Sequence, residues 1–192
     1  MLYNLLTPLA EDYQIFNLFR YLTFRTGGAL FTAFFIALII GPRLIAWLKG
    51  KQKTGQPIRE DGPSSHIIAK QGTPTMGGFL ILAALLISTI LWADSTNSYV
   101  WAALIVTTGF GLIGFVDDYL KVTQGSSSGV PGRIKLVAEA AIAAAAVYWI
   151  AQLGSPTLAL PFVKNLLIDM GWFYIPFGVL VIVGASNSVN LT

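Results

Sequence analysis

The fold of this chain is decided by residues 99–120, which read YVWAALIVTTGFGLIGFVDDYL. An apolar run of about 18 residues, nearly the length that crosses a bilayer as a helix, ends in two adjacent carboxylates, Asp117 and Asp118. The run is apolar on every side and lacks the alternating polarity of a transmembrane strand. It therefore predicts a transmembrane helix over residues 99–116 with two acidic side chains at one end.

The composition of the whole chain also favours a membrane protein. Of its 192 residues, 55% are hydrophobic and 11% are charged, and the mean hydropathy is +0.68. Ordinary soluble domains carry roughly 25% charged residues, and a soluble core of this length could not cover so much apolar surface. The absence of cysteine excludes disulfides and thiolate metal sites, and the one histidine, His66, leaves little room for a histidine-based site.

We predict an all-α integral membrane protein with five transmembrane helices in a single membrane domain, residues 1–192. Gly41-Pro42 predicts a break near the end of the first span. The first 20 residues lack the basic start of a cleavable signal peptide, and their aromatic residues predict a segment at the membrane interface. The predicted spans cover about residues 26–48, 75–92, 99–116, 136–153 and 172–191.

Basic residues predict the orientation of these spans, because cytoplasmic loops are enriched in lysine and arginine. The two predicted loops, about residues 49–74 and 117–135, fall on the same side of the membrane and hold most of the 12 basic residues. These loops are therefore predicted to be cytoplasmic, with the N-terminus outside. Their basic residues are Lys49, Lys51, Lys53, Arg59, Lys70, Lys121, Arg133 and Lys135.

The adjacent Asp117 and Asp118 are the strongest candidates for chemistry. Two carboxylates at a membrane boundary repel each other and lose hydration, which a divalent cation shared with a phosphate would relieve. Mg²⁺ fits this role because it takes one or two protein carboxylates and fills its remaining positions with water and phosphate oxygens. The alternative is a pair of solvated acids at a helix end, with Asp117 paired to Lys121 at i+4.

Three further features fall on the same predicted face. In the segment that leads into the second span, Lys70 supplies a mobile positive charge, Pro74 suits the first turn of a helix, and Thr75 could cap it. Free N–H groups at such a helix start attract phosphate. Arg133 and Lys135 open the fourth span, where they could hold a diphosphate or simply anchor the helix. Asn187 and Asn190 share one helix face, where their amides could bind a ligand or bridge helices.

These motifs resemble those of the phospho-N-acetylmuramoyl-pentapeptide transferase family, within the polyprenyl-phosphate sugar-1-phosphate transferase superfamily. The resemblance covers essentially the whole chain. The Asp-Asp pair is shared across the superfamily, whereas Gly72-Thr73-Pro74-Thr75-Met76-Gly77-Gly78 points to the peptidoglycan branch. The matching stretches are residues 21–25, Arg59-Glu60-Asp61-Gly62-Pro63 with Ser65-His66, residues 70–78, Gly114-Phe115-Val116-Asp117-Asp118-Tyr119-Leu120-Lys121 and Asn187-Ser188-Val189-Asn190-Leu191-Thr192.

The resemblance implies a ten-helix bundle that requires Mg²⁺ and works in the bacterial cytoplasmic (inner) membrane. It implies transfer from UDP-N-acetylmuramoyl-pentapeptide to undecaprenyl phosphate, which gives lipid I and UMP. Membrane lipid and a second copy in a homodimer are the expected partners, and no nucleic acid is expected. By position, Asp117 and Asp118 would be catalytic and metal-binding residues. Substrate-binding roles would fall to Lys70, Thr75, Lys121, Arg133, Lys135, Asn187 and Asn190.

The family pattern continues after Asn-Leu-Thr with an acidic motif, further helices, another metal-binding aspartate and a histidine-rich loop. We therefore expect residues 1–192 alone to be inactive, and turnover by this segment in detergent would contradict that expectation. Three alternatives stay open at this point. They are a transferase that uses an N-acetylglucosamine donor, a proton-coupled transporter, and a structural or inhibitor-target fragment.

Overall fold

A computed structural model describes residues 1–52, 74–124, 129–160, 163 and 166–189, so Lys70 and Asn190 lie outside the described residues. Its long elements are helices, in agreement with the predicted all-α class. In chain order they are α1 Leu2–Leu6, α2 Leu22–Lys51, α3 Gly78–Trp92, α4 Ser98–Gln124, α5 Gly132–Leu153 and α6 Tyr174–Val189. Short 3-10 helices cover Pro8–Ala10, Gln14–Arg20 and Gly171–Phe173, and an antiparallel hairpin pairs β1 Thr157–Ala159 with β2 Leu167–Asp169.

Helices that follow one another in sequence pack side by side, from α2 against α3 to α5 against α6. The connections between them fall at two opposite ends. At one end, the N-terminal amine donates to the carbonyl oxygens of Ile90 and Ala93, each at 2.9 Å. At the other end, Gln52 after α2 bonds to Thr75 before α3. We call this second end, where α2 and α4 finish and α3 and α5 begin, the charged end.

The helices have the surface of a membrane protein. Within the described residues, α2, α4, α5 and the segment Gly171–Val189 are long and apolar enough to cross a membrane. Helix α3 has 15 residues and at 1.5 Å per residue is roughly 22 Å long. Large apolar side chains point outward, with Ile81 and Leu180 each 69% exposed. So much exposed apolar surface would be unfavourable in water, whereas lipid chains solvate it.

Three predicted boundaries differ from the structure. Helix α2 runs unbroken through Pro42, because a proline inside a membrane helix is tolerated when neighbouring groups satisfy the freed carbonyl. Thr75 precedes α3 and does not cap it, since the N-cap residue is Gly77 and α3 has no side-chain cap. Helix α4 continues to Gln124, so Asp117 and Asp118 lie within a helix rather than in a loop over residues 117–135.

Close packing between α5 and α6 depends on Gly178. A Cβ built at Gly178 would lie 2.8 Å from both Cγ atoms of Val147. Because the branched Val147 side chain has little freedom to turn away, Gly178→Ala is expected to destabilise the protein by about 1–3 kcal/mol. Thermal unfolding in detergent measures this loss. Gly184→Ala, on the same helix with no atom within 4 Å of its Cβ, is the control, and equal melting temperatures for the two variants would contradict the packing.

Candidate active site

Asp117 lies in a buried cluster of charges at the charged end. The residue is 7% exposed, and the Nζ atoms of Lys121 and Lys135 lie 2.7 and 2.8 Å from its Oδ2 and Oδ1. The backbone N–H of Val130 also donates to Oδ1 at 2.8 Å. We call Asp117, Lys121 and Lys135 the aspartate–lysine triad. The predicted i,i+4 pair with Lys121 is present, but burial and the second lysine distinguish Asp117 from a solvated helix-end acid.

The turn between α4 and α5 makes this cluster possible. Gly129 passes so close to the carboxylate of Asp117 that a Cβ there would overlap Oδ1. Only glycine permits this approach, which brings the N–H of Val130 within hydrogen-bond distance. Pro131 then serves as the N-cap residue of α5 and places Lys135 in the second turn of that helix, where it reaches back to Asp117.

Asp118 occupies a different environment from its neighbour. Consecutive helical residues point about 100° apart, so Asp118 turns away from the triad and towards the start of α3. There the Thr75 hydroxyl donates to Oδ2 of Asp118 at 2.8 Å. Thr75 therefore lies beside the aspartate pair, although it does not cap α3.

A cavity of about 300 Å³ connects the two carboxylates with the helix start. Both aspartates lie in its wall, which is otherwise apolar and rich in glycine. The N–H groups of Phe79 and Leu80 at the start of α3 already donate to the carbonyl oxygens of Met76 and Gly77, so the two carboxylates are the charged groups that a ligand entering this cavity would meet. The other lining residues are Met76, Gly78, Phe79, Leu82, Gly111, Gly114 and Phe115.

The two carboxylates differ in how well they fit a magnesium ion. Among the described residues no group of three or more His, Cys, Asp or Glu side chains could hold a metal, but Mg²⁺ often needs only one or two carboxylates beside phosphate and water. Asp118 fits this requirement, since Thr75 is its one side-chain partner in the described part of the chain and it faces the cavity. Asp117 fits less well, because two ammonium groups and one N–H already occupy its oxygens.

The remaining predicted residues are only partly brought together. Arg133 is exposed in the first turn of α5. It is near the triad because it lies two residues before Lys135 on that helix. Asn187 is tied to α5, where its Nδ2 donates to Oε2 of Glu139 at 2.6 Å and also to the carbonyl oxygen of Val183 at 3.0 Å. The predictions for Lys70 and Asn190 concern residues outside those that the structure describes.

Glu139 is the partner of a predicted site residue, Asn187, and the motif analysis missed it. It lies one helical turn after Lys135 within an otherwise apolar span, and such acids are rare in membrane helices and tend to serve function. Both N–H groups of Asn187 are committed, one to Glu139 and one to Val183, so its Oδ1 is the atom left to meet a ligand. The signal in the sequence was a single glutamate among alanines. It was missed because Glu139 lies in none of the motif stretches named above.

We expect Glu139→Leu to loosen the contact between α5 and α6 by about 1–3 kcal/mol, because it leaves the amide of Asn187 unsatisfied. Glu139→Gln keeps an acceptor oxygen and is expected to retain most of the stability. Chemical unfolding of the two variants in detergent provides the measurement. Equal losses for the leucine and glutamine variants would argue against the hydrogen bond.

An apolar cavity of about 440 Å³ adjoins the aspartate cavity. The two cavities share Met76, Phe79 and Phe115 as lining residues. Lys51 and Gln52 also lie in the wall of the second cavity, at the end of α2. The charged end therefore combines a cavity that holds two carboxylates with a neighbouring cavity that is almost entirely apolar.

Fold and site together define a multi-pass membrane protein with a carboxylate and lysine site at one end of its helices. Comparison with known proteins gives the particular family. Residues 100–192 match the glycosyl transferase family 4 model, and residues 70–82 match phospho-N-acetylmuramoyl-pentapeptide-transferase signature 1.

Two curated relatives extend the similarity over the whole chain. The phospho-N-acetylmuramoyl-pentapeptide-transferase of Granulibacter bethesdensis is 55% identical over 196 residues, which cover 100% of this chain and 54% of the relative. That of Maricaulis maris is 54% identical over 201 residues, which cover 100% and 55%. These matches confirm the resemblance: the chain is similar to these transferases along its whole length, and its residues 100–192 match the glycosyl transferase family 4 model. The chain spans about half the length of the relatives.

Proposed function

We propose that the complete protein, meaning residues 1–192 with any continuation in its gene, transfers phospho-N-acetylmuramoyl-pentapeptide from its UDP donor to undecaprenyl phosphate. The products would be lipid I and UMP. The observation that carries this proposal is the placement of two aspartates in the wall of one cavity at the charged end, with two lysines paired to one of them, Asp117. The names of the two relatives supply the transferred group and the reaction class.

Lys121 and Lys135 are the proposed binding groups for the diphosphate of the donor. Each ammonium lies within 2.8 Å of Asp117, so a single carboxylate holds both in place before the donor arrives. About 30% of each lysine side chain is exposed, which leaves room for phosphate oxygens to bind. Lys70 and Arg133 are proposed to add charge nearby, and Asn187 and Asn190 to line the same cleft.

We propose Asp118 as the carboxylate that contacts a bound Mg²⁺, with Asp117 as a second ligand after its lysines turn towards phosphate. When bound, the cation supplies neutralisation of the negative charge that builds on the phosphate oxygens. The residues around it act mainly by positioning and electrostatics, which dominate phosphoryl transfer.

The proposed step joins an oxygen of the lipid phosphate to the β-phosphorus of the donor. The bond from that phosphorus to the bridging oxygen breaks, and UMP leaves with the bridging oxygen. Asp117 or Asp118 would orient the attacking phosphate or accept its proton. A route through a covalent aspartyl phosphate is the competing mechanism, and the free face of Asp118 in the cavity favours that residue over Asp117 for direct contact.

We propose that the prenyl chain of the acceptor uses the apolar cavity beside the aspartates. That cavity lies where α2 and α4 finish, so a lipid phosphate could enter sideways from the membrane with its head towards Asp118. We propose that this end faces the cytoplasm at the bacterial inner membrane, with the N-terminus outside, because cytoplasmic loops are enriched in basic residues. We further propose a homodimer, which light scattering in detergent would test.

UMP release tests the proposed function. The complete protein is incubated with UDP-N-acetylmuramoyl-pentapeptide and undecaprenyl phosphate, with and without Mg²⁺. Mg²⁺-dependent release supports the proposal. If UMP is released with UDP-N-acetylglucosamine but not with UDP-N-acetylmuramoyl-pentapeptide, the donor changes and the reaction class stays. No release with either donor would overturn the proposed transferase activity and favour a transporter.

A further inference from the structure

Gln52 is a buried polar residue that neither the matched motifs nor the aspartate pair explains. It is 8% exposed and follows directly after α2. Its side chain makes two hydrogen bonds to the backbone of one residue: the N–H of Thr75 donates to Oε1 at 2.9 Å, and Nε2 donates to the carbonyl oxygen of Thr75 at 3.3 Å. The two bonds have the same pattern as the pair of backbone hydrogen bonds between antiparallel β-strands. They fix the orientation of the peptide groups on both sides of Thr75.

Thr75 carries this constraint on to Asp118. Its backbone is held by Gln52 and its hydroxyl donates to Oδ2 of Asp118 at 2.8 Å. The three residues come from the end of α2, the approach to α3 and the last turns of α4. One chain of hydrogen bonds therefore joins three helices and ends on the carboxylate that faces the cavity.

The backbone next to Thr75 gives a second, independent indication. Met76 has φ 73°, in the left-handed region that costs a non-glycine residue about 1–3 kcal/mol. Such a conformation persists only where the surroundings determine it, and strained residues of this kind cluster at functional sites. Met76 lines both cavities, so the conformation of this turn sets the wall that the two cavities share.

We propose that Gln52 is a positioning residue for Asp118 and acts through Thr75. It does not touch the reacting phosphates in this assignment. It holds the Thr75 backbone so that the hydroxyl meets Oδ2 and leaves the remaining oxygen of Asp118 directed at the cavity. The inference rests on the proposed function, since it assumes that the orientation of Asp118 limits the reaction.

The first test measures kinetics in the complete protein. Gln52→Leu keeps the size of the side chain and removes both hydrogen bonds, and it is expected to lower kcat roughly 10- to 100-fold through misplacement of Asp118. The KM of the UDP donor is expected to stay within about twofold, because its diphosphate is proposed to bind at the aspartate–lysine triad and not at Gln52. Gln52→Glu keeps the acceptor for the N–H of Thr75 and is expected to recover part of the loss. Lys49→Leu, an exposed position three residues earlier, is the control.

A double-mutant cycle separates positioning from general destabilisation. Thr75→Val removes the hydroxyl that reaches Asp118, so Gln52→Leu in that background should lower kcat no further. Additive losses in the double variant would overturn the proposal, as would an unchanged kcat in Gln52→Leu alone.

Hydrogen exchange supplies a readout that needs no turnover. The amide of Thr75 is expected to exchange faster in Gln52→Leu than in the wild type and the Lys49→Leu control, because its acceptor is gone. Unchanged exchange would overturn the clamp itself. If the wild type releases no UMP but its Thr75 amide depends on Gln52, the proposed function fails while the Gln52–Thr75 clamp stands, so the two failures are distinguishable.

Discussion

Asp118→Asn in the complete protein is expected to reduce kcat for UMP release roughly 10²- to 10³-fold, the range seen when one preorganised electrostatic group is lost. Asparagine has the same shape as aspartate, and its carbonyl oxygen can still accept the hydrogen bond that the Thr75 hydroxyl donates at 2.8 Å. The substitution therefore removes the negative charge and little else. That charge is what a cation between the protein and the donor phosphates requires.

A second acid provides the matched control for this variant. Asp169 lies in β2, exposed, and accepts a hydrogen bond from the N–H of Gly171 at 2.9 Å. Asp169→Asn also removes one negative charge and preserves an acceptor, so it is expected to leave kcat unchanged. The measurement is the initial rate of UMP release at saturating substrates and Mg²⁺. Retention of more than half the wild-type rate in Asp118→Asn would exclude that residue from the reaction.

The helices and the grouping of Asp117, Asp118 and Lys121 at one helix end could be predicted because their signals are local. Apolar runs near the length of a bilayer define α2, α4 and α5, and the pair of acids after one of these runs has few stable explanations in a membrane. The family motifs were contiguous stretches, so one sequence was enough to recognise them. The i,i+4 pair of Asp117 and Lys121 also follows from helical spacing alone.

The remaining features depend on contacts between residues that are distant in sequence. The prediction started α3 at about residue 75, whereas the helix begins at Gly78. Gln52 binds the backbone of Thr75 just before it, and nothing in the local sequence pattern indicates a partner 23 positions away. Pairing of Lys135 with Asp117 needs the turn at Gly129, and pairing of Glu139 with Asn187 needs α5 and α6 to pack together. Propensity and periodicity do not encode these tertiary contacts.

Asp117→Asn is expected to act differently from Asp118→Asn, because Asp117 holds two lysines together. Lys121 and Lys135 both lie within 2.8 Å of its carboxylate, so removing that charge leaves two partly exposed ammonium groups close together with no carboxylate between them. The expected loss of stability is about 1–3 kcal/mol, typical of hydrogen bonds to charged groups. The lysines would also separate, and kcat/KM for the UDP donor is expected to fall roughly 100-fold as the diphosphate site opens.

Replacing one lysine by a neutral residue separates the effect of the triad's net charge on stability from the part that the lysine plays in the reaction. The intact triad carries one net positive charge, Asp117→Asn carries two, and Asp117→Asn with Lys135→Met again carries one. We therefore expect the double variant to regain much of the stability lost in Asp117→Asn, while donor turnover stays low because a phosphate-binding cation is gone. Chemical unfolding and initial rates on the same preparations provide both readouts. If Lys135→Met adds to the instability of Asp117→Asn instead of relieving it, repulsion between the lysines is not the cause, and Asp117 does not act by holding them together.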